Sequence, residues 1–267
     1  MNNIDFIIIG AQKGGTTAAA FNLNKHPDIS VFSGITEYGQ YEIEFFNQHW
    51  DRGANWYFEQ LPKSEGIVGE KTAELFHRTI CHERIFSINP KVKLLVLLRC
   101  PIERSFSQWR MAAFIKKDES RSFDEVVIDE YTKLELPNYK QEFYLCKEAE
   151  ISCWREGYIM KGFYYEQLQN LLKYFPKENI HIAISENVAK NKEMEYNKMF
   201  SFLNVRPFTT DFENRFVGKA AQMMSKKTYD LLREIYSKSN ESLFSFLGFE
   251  IKEWLINPVY SSNQFLL

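Results

Sequence analysis

The chain has 267 residues, enough for one large domain or two small ones, and its net charge of −2 leaves no global basic field for nucleic acid. Hydrophobic residues make up 45% and charged residues 25%, ordinary for a soluble globular protein, and the 16% of aromatics can fill both a core and an apolar cleft. Four cysteines (Cys81, Cys100, Cys146, Cys153) form no CxxC pair and the histidines form no HExxH pattern, which excludes the common zinc spacings and fits a reduced, cytoplasmic compartment.

The first element is "DFIIIG" (5–10), a short β-branched run ending in Gly10 that predicts a buried parallel strand. Its few apolar residues are too short for a signal peptide or a membrane span. A helix is predicted over "TTAAAFNLNKH" (16–26), stopping before Pro27. Residues 35–75 are aromatic-rich and irregular, with "EFFNQHW" and "NWYFEQLP", and no element is assigned there. "KVKLLVLLR" (91–99) predicts a second strand, and Pro101 opens a helix to about Ile115. Residues 117–150 read as a helix plus a long loop. "YYEQLQNLLKYF" (164–175) predicts a helix and "NIHIAIS" (179–185) a third strand. Further helices are expected at 194–203 and 227–238, and the last residues, 256–267, as a loosely held tail. Strands alternating with helices imply an α/β fold: three α/β/α layers around a central, mainly parallel sheet.

Ligands of such sheets bind at the carboxyl ends of strands. "GAQKGGTT" (10–17) stands at one such end, between a strand and a helix. A glycine-rich turn there exposes backbone N–H groups and aims a helix dipole at an anion. Gly14 and Gly15 allow close approach, Thr16 and Thr17 are placed to cap the helix and donate hydroxyl bonds, and Lys13 adds a full charge. A nucleoside triphosphatase loop would read G-x-x-x-x-G-K-S/T. Here Gly15 precedes Thr16, and the lysine stands ahead of both glycines. Alone, the three residues Lys-Gly-Gly fit a tight turn with a solvated lysine; the flanking strand and helix favour an anion site.

"LLRCPIERSFSQW" (97–109) puts Arg99 at another strand end and Ser107 about two turns along the next helix. The Arg99 fork suits phosphate oxygens. Arg104 is placed either on the same side or against Glu103. Two separate anion sites on strand ends point to a ligand with two phosphate-like groups.

In these stretches the sequence resembles the sulfotransferases that use 3'-phosphoadenosine 5'-phosphosulfate (PAPS). "IIIGAQKGGTTA" looks like their 5'-phosphosulfate loop, and "VLLRCPIERSFSQW" like their 3'-phosphate motif, R-x-P-x-x-R-x-x-S. The resemblance is closest to the carbohydrate, heparan-type branch and its bacterial relatives. "YEIEFFNQHW" (41–50) is similar to that branch's E-x-H-F-F segment, with Glu44 in place of the histidine, and "VGEKTAELF" (68–76) to its E-K segment. "FVGKAAQ" (216–222) falls where the family has a basic loop closing over the donor, here with Gly218 ahead of Lys219 instead of after it.

The resemblance implies one P-loop-like sulfotransferase domain over 1–267 and an enzyme that needs no metal. Lys13 would meet the bridging oxygen of the donor and stabilise its growing charge. Gly14, Gly15, Thr16 and Thr17 would hold the 5'-phosphosulfate, Arg99 and Ser107 the 3'-phosphate, and Lys219 would close over the nucleotide. Glu42 would be the general base for the acceptor, with Glu44 the second candidate. Lys71 would pair with Glu42 or stabilise the sulfonyl oxygens. Tyr158 is a weak candidate for the acceptor side, core packing being its commoner role.

The acceptor is expected to be a small-molecule natural product, with a saccharide hydroxyl as the alternative. Glu37, Glu42 and Glu44 would suit a cationic acceptor, such as a guanidinium alkaloid of the saxitoxin kind. No membrane or nucleic-acid partner is expected. An ATP- or GTP-dependent kinase is a rival reading, against which the missing G-K-S/T speaks. A non-catalytic nucleotide-binding module is another, against which Lys13, Glu42 and Lys71 speak.

Overall fold

The computed structural model describes residues 4–32, 42–145, 156–213 and 224–255. Five strands form one parallel sheet: β1 (Phe6–Gly10), β2 (Ile29–Val31), β3 (Ile67–Lys71), β4 (Lys93–Leu98) and β5 (Ile180–Ile184). Their spatial order is β2-β3-β1-β4-β5, with every pairing parallel. The chain lays β3 on one side of β1 and β4 on the other, so the order reverses at β1, the place where ligands bind in open α/β sheets.

Strand alternation builds two apolar faces. Ile7, Ile9, Leu94, Val96 and Leu98 point to one core, and Phe6, Ile8, Leu95 and Leu97 to the other. Helices α1 (Thr16–Leu23) and α9 (Lys192–Leu203) cover the second face. The first is covered by α3 (Thr79–Ile88), α7 (Tyr164–Leu171) and α10 (Lys226–Leu247), with α2 (Gly53–Gln60) at its margin. The three expected layers are present. A third cluster joins α4 (Pro101–Arg110), α5 (Phe123–Lys133) and α10 around Trp109, Phe123 and Tyr236. The shorter helices are α6 (Tyr139–Leu145), α8 (Ser185–Lys190) and α11 (Lys252–Leu255).

The three apolar runs form strands as expected. Strand β3 lies in the 35–75 stretch to which the sequence assigns no element, and β2 lies just before it, after the first predicted helix. β3 reads "IVGEK", and its Gly, Glu and Lys are poor strand formers that mask a buried strand. Helix α10 runs to Leu247, nine residues past its expected end, because Ser239, Leu243 and Phe244 continue the buried stripe of Leu232 and Tyr236. The helix expected to reach Ile115 keeps regular α geometry only to Arg110. Residues Met111–Lys116 continue it as a wider π-type turn that ends at Lys117 in a left-handed conformation.

Candidate active site

The loop after β1 is tied to its neighbours by backbone bonds. Ala11 N–H donates to the Leu97 carbonyl at 2.9 Å and Gly14 N–H to the Ala11 carbonyl at 2.8 Å. Ser185 Oγ donates to the Gly14 carbonyl at 2.6 Å, linking α8 to the loop. Gly14 has no room for a side chain: a Cβ there would lie 2.2 Å from the Leu97 carbonyl oxygen and 2.9 Å from that of Ala11. Both atoms are backbone and cannot rotate away. Gly14→Ala is therefore expected to cost about 1–3 kcal/mol, several degrees in Tm. Gly15→Ala should cost less, because its Cβ meets nothing within 4 Å and opposes only a φ of 91°. Thermal unfolding of both variants checks the order.

Gly15 is the left-handed N-cap of α1, and no side chain caps the helix. Thr16 and Thr17 were expected to cap; they lie inside the first turn instead, because the left-handed turn makes Gly15 the last non-helical residue. The first intrahelical bond is Ala19 N–H to the Gly15 carbonyl at 3.0 Å. The N–H groups ahead of it have no intrahelical acceptor and are free to meet an anion. Thr16 is buried and Thr17 exposed.

Lys13 is also left-handed, with φ 69°, and its Nζ lies 3.3 Å from Met111 Sδ above the loop. Burial, then the guanidinium groups of Arg99, Arg104 and Arg110, hold its ammonium down to about 8. Arg99 leaves the end of β4 with 27% of its side chain exposed, and its Nη2 lies 3.5 Å from Glu103 Oε2. Ser107 is half-buried on α4. Arg104 is not part of this surface. It is fully buried and donates to Gln108 Oε1 at 2.8 Å and to the Tyr158 carbonyl, bracing α4 against the third core. Glu103 faces Arg99 instead.

The cation that sequence reasoning missed is Arg110, three residues past Ser107 on α4. Burial and the Arg99 charge lower its pKa, and its own charge is felt at Lys13. Its spacing from Ser107 was the available signal.

Carboxylates gather at the end of β3. Glu70 is fully buried and accepts from Tyr57 Oη at 3.1 Å and Thr72 Oγ1 at 2.9 Å; burial still lifts it to about 7. Lys71 forms an ion pair with Glu42, whose other oxygen accepts from Ala73 N–H at 3.3 Å. Lys71 Nζ also lies 3.5 Å from Thr17 Oγ1. The Glu42–Lys71 pair is thus fixed beside the start of α1. Glu44 is buried at a φ of 53°, and its Oε2 has no hydrogen-bond partner among the described residues. Burial, then the charges of Glu42 and Glu74, push it up to about 8. Glu74 is buried between Lys161 Nζ at 3.5 Å and His77 Nε2 at 3.3 Å. Lys161 in turn donates to Gln12 of the loop at 3.2 Å.

Lys13, Gly14, Gly15, Thr16, Thr17, Glu42, Glu44 and Lys71 are therefore brought together at one end of the sheet, with Arg99 and Ser107 on the adjoining strand and helix. Tyr158 is a core residue, 2% exposed, with its hydroxyl 3.5 Å from Glu119 Oε2. Lys219 and Glu37 lie outside the described residues. Among the described residues no group of His, Cys, Asp or Glu is arranged to hold a metal ion, and no helix is long and apolar enough to cross a membrane.

Chemically, one side of this end of the sheet is an uncapped helix start ringed by cations, suited to an anionic ligand. The other is a lysine-paired carboxylate with two buried acids beside it, suited to managing a proton. A membrane-associated sulfotransferase, kil1, of Dictyostelium discoideum is 26% identical over 93% of this chain and 66% of its own length. Heparan sulfate glucosamine 3-O-sulfotransferase 5 of mouse is 29% identical over 75% of this chain and 53% of its own length. The chain thus spans about half to two thirds of these curated relatives. A sulfotransferase crystal structure from Alicyclobacillus acidocaldarius has the same fold, with a TM-score of 0.74 at 21% identity over 95% of this chain and 99% of that one. The family model of the sulfotransferase domain matches residues 3–250, and the chain belongs to that family.

Proposed function

We propose that the chain transfers a sulfuryl group from 3'-phosphoadenosine 5'-phosphosulfate to a hydroxyl, or an amine or carbamoyl nitrogen, of a small-molecule acceptor. The observation that carries this reading is the Lys71 bridge: Lys71 meets Glu42 on one side and Thr17 of the phosphate loop on the other. It sets a proton acceptor beside the place where the loop would present the transferable group. Sulfuryl transfer needs an in-line approach, neutralised equatorial oxygens and a stabilised leaving group, all matters of positioning and electrostatics.

The donor fits the residues present. Lys13, Arg99 and Arg110 crowd like charges at one end of the sheet, and a ligand with two phosphate-like groups relieves that repulsion. Gly15 leaves open space in front of the helix start. Lys13 would face the bridging oxygen, the loop N–H groups the 5'-phosphosulfate, and Arg99 with Ser107 the 3'-phosphate. Lys219 belongs to the proposed donor site through the family resemblance alone. Glu42 would take the acceptor proton, with Lys71 turning to the sulfonyl oxygens as that proton moves.

Glu42, Glu44 and Glu74 lie near one another at the acceptor side, which disfavours a polyanionic glycan such as heparan sulfate and favours a neutral or cationic molecule. Among the described residues Lys71 pairs with Glu42 and Lys161 with Glu74, while Glu44 Oε2 has no hydrogen-bond partner and is left to meet a cation. A guanidinium alkaloid of the saxitoxin kind is the acceptor class proposed on this ground.

Thermal-shift titration with 3',5'-adenosine bisphosphate, ATP and GTP tests the donor. The bisphosphate at about 100 times its Kd should stabilise by about 2.7 kcal/mol. ATP and GTP should do much less, and Arg99→Ala should abolish the preference. Stabilisation by ATP alone would overturn the reading in favour of a kinase.

A further inference from the structure

Beyond Arg99 and Ser107, we propose that Arg110 is a second guanidinium arm on the 3'-phosphate and sets the selectivity of the chain for a nucleotide bearing that group. The inference rests on the donor reading above and adds a residue that neither the loop pattern nor the R-x-P-x-x-R-x-x-S pattern contains.

Three placements carry it. Ser107 and Arg110 are three residues apart on α4, and Met111 is four from Ser107, so all three share one face of the helix. Met111 Sδ lies 3.3 Å from Lys13 Nζ, which sets that face directly over the phosphate loop. Arg99 enters the same space from the end of β4, which pairs with β1 along its length.

Charge completes the argument. Among the described residues Arg110 has no hydrogen bond or ion pair to a carboxylate, while Arg99 has only the 3.5 Å contact with the partly exposed Glu103. Lys13 thus feels the charge of both Arg99 and Arg110, and among the described residues Glu103 is the carboxylate that acts on the two guanidinium groups. Burial, then the Arg99 charge, depresses the Arg110 pKa, and the second contribution is what two cations sharing one side of a site produce. A phosphate dianion between Arg99, Arg110 and Ser107 accepts from both forks and neutralises both charges. Arg104 does not compete for this place, because the third core holds it.

The test compares two probes on the full chain: 3',5'-adenosine bisphosphate and adenosine 5'-phosphate, which lacks the 3'-phosphate. Binding is measured by calorimetry for the wild type, Arg110→Ala and Arg110→Lys. Arg110→Ala should weaken the bisphosphate roughly 10- to 100-fold and leave the monophosphate within about twofold, with Arg110→Lys between. Unchanged monophosphate binding also reports that the variant is folded. An equal loss for both probes, or no loss for the bisphosphate, overturns the role of Arg110. If the wild type itself does not prefer the bisphosphate, the donor reading fails and this inference falls with it.

Discussion

Glu42→Gln should lower kcat by about 10²- to 10⁴-fold while leaving bisphosphate binding nearly unchanged. The substitution keeps the shape of the side chain and its bond from Ala73 N–H but removes the acceptor for a proton. It also leaves Lys71, 7% exposed at its side chain, without its counter-charge, so Tm should fall as well. Activity is therefore compared at a temperature where bisphosphate titration shows the variant fully folded. The contrast is Glu44→Gln. Glu44 is held up to about 8, so near pH 7 it is mostly protonated, and glutamine is a close mimic of that form. kcat should stay within about tenfold, since no general base is lost. KM for a cationic acceptor should rise, because the neutral amide cannot ionise to meet it. Above pH 8 the wild type gains a charge that the variant lacks, and the two should diverge further. Full activity in Glu42→Gln with collapse in Glu44→Gln would exchange the two roles. Turnover of neutral glycans with none of any cationic acceptor would remove the acceptor proposal and leave the donor site standing.

Much of the scaffold was legible because its signals are local. β1, β4 and β5 are apolar runs, and a run of that kind needs little from the rest of the chain to declare itself. The loop was legible because its chemistry is backbone chemistry, set by Gly14 and Gly15. What was hidden depends on partners far along the chain. β3 looked unlike a strand because Glu70 and Lys71 are charged, and their burial is possible only with Tyr57, Thr72 and Glu42 in place. Arg104 reads like a phosphate ligand until the Tyr158 carbonyl, 54 residues away, takes its guanidinium. Thr16 and Thr17 read as caps because the sequence does not reveal the left-handed turn at Gly15. Glu44 shows the limit most clearly. The family segment marks its position, where a histidine is expected, but only the structure shows that it is buried, with an Oε2 that has no hydrogen-bond partner among the described residues, and held up to about 8.

Lys13→Met should lower kcat/KM by about 10²- to 10³-fold, the loss expected when one preorganised charge at a developing anion is removed. The pH dependence of bisphosphate binding separates this role from loop packing. In the free protein, burial and the guanidinium groups around Lys13 place its titration near 8, down from 10.5. A bound phosphate pulls that value back up, because an anion now sits where cations alone stood. Below about pH 8 Lys13 is charged in both free and bound protein, so affinity should be flat. Above it, binding must take up a proton, and affinity should fall by up to about tenfold per pH unit until the bound form also titrates. Lys13→Met should bind more weakly near neutral pH and lose that slope. The unliganded protein shows the opposite sign. Between about 8 and 10.5 the unfolded chain holds a proton on Lys13 that the folded chain has shed, so this residue makes stability rise with pH through that window. The buried Cys81 and Cys100 thiols, pushed up to about 12, pull stability the other way in this range, so the readout is the difference between wild type and Lys13→Met: from pH 8 to 10.5 the wild type should gain Tm relative to the variant while its advantage in bisphosphate affinity shrinks. A wild-type affinity that stays flat to pH 10 would mean that Lys13 does not meet the donor's charge, and the loop would then act through its backbone alone.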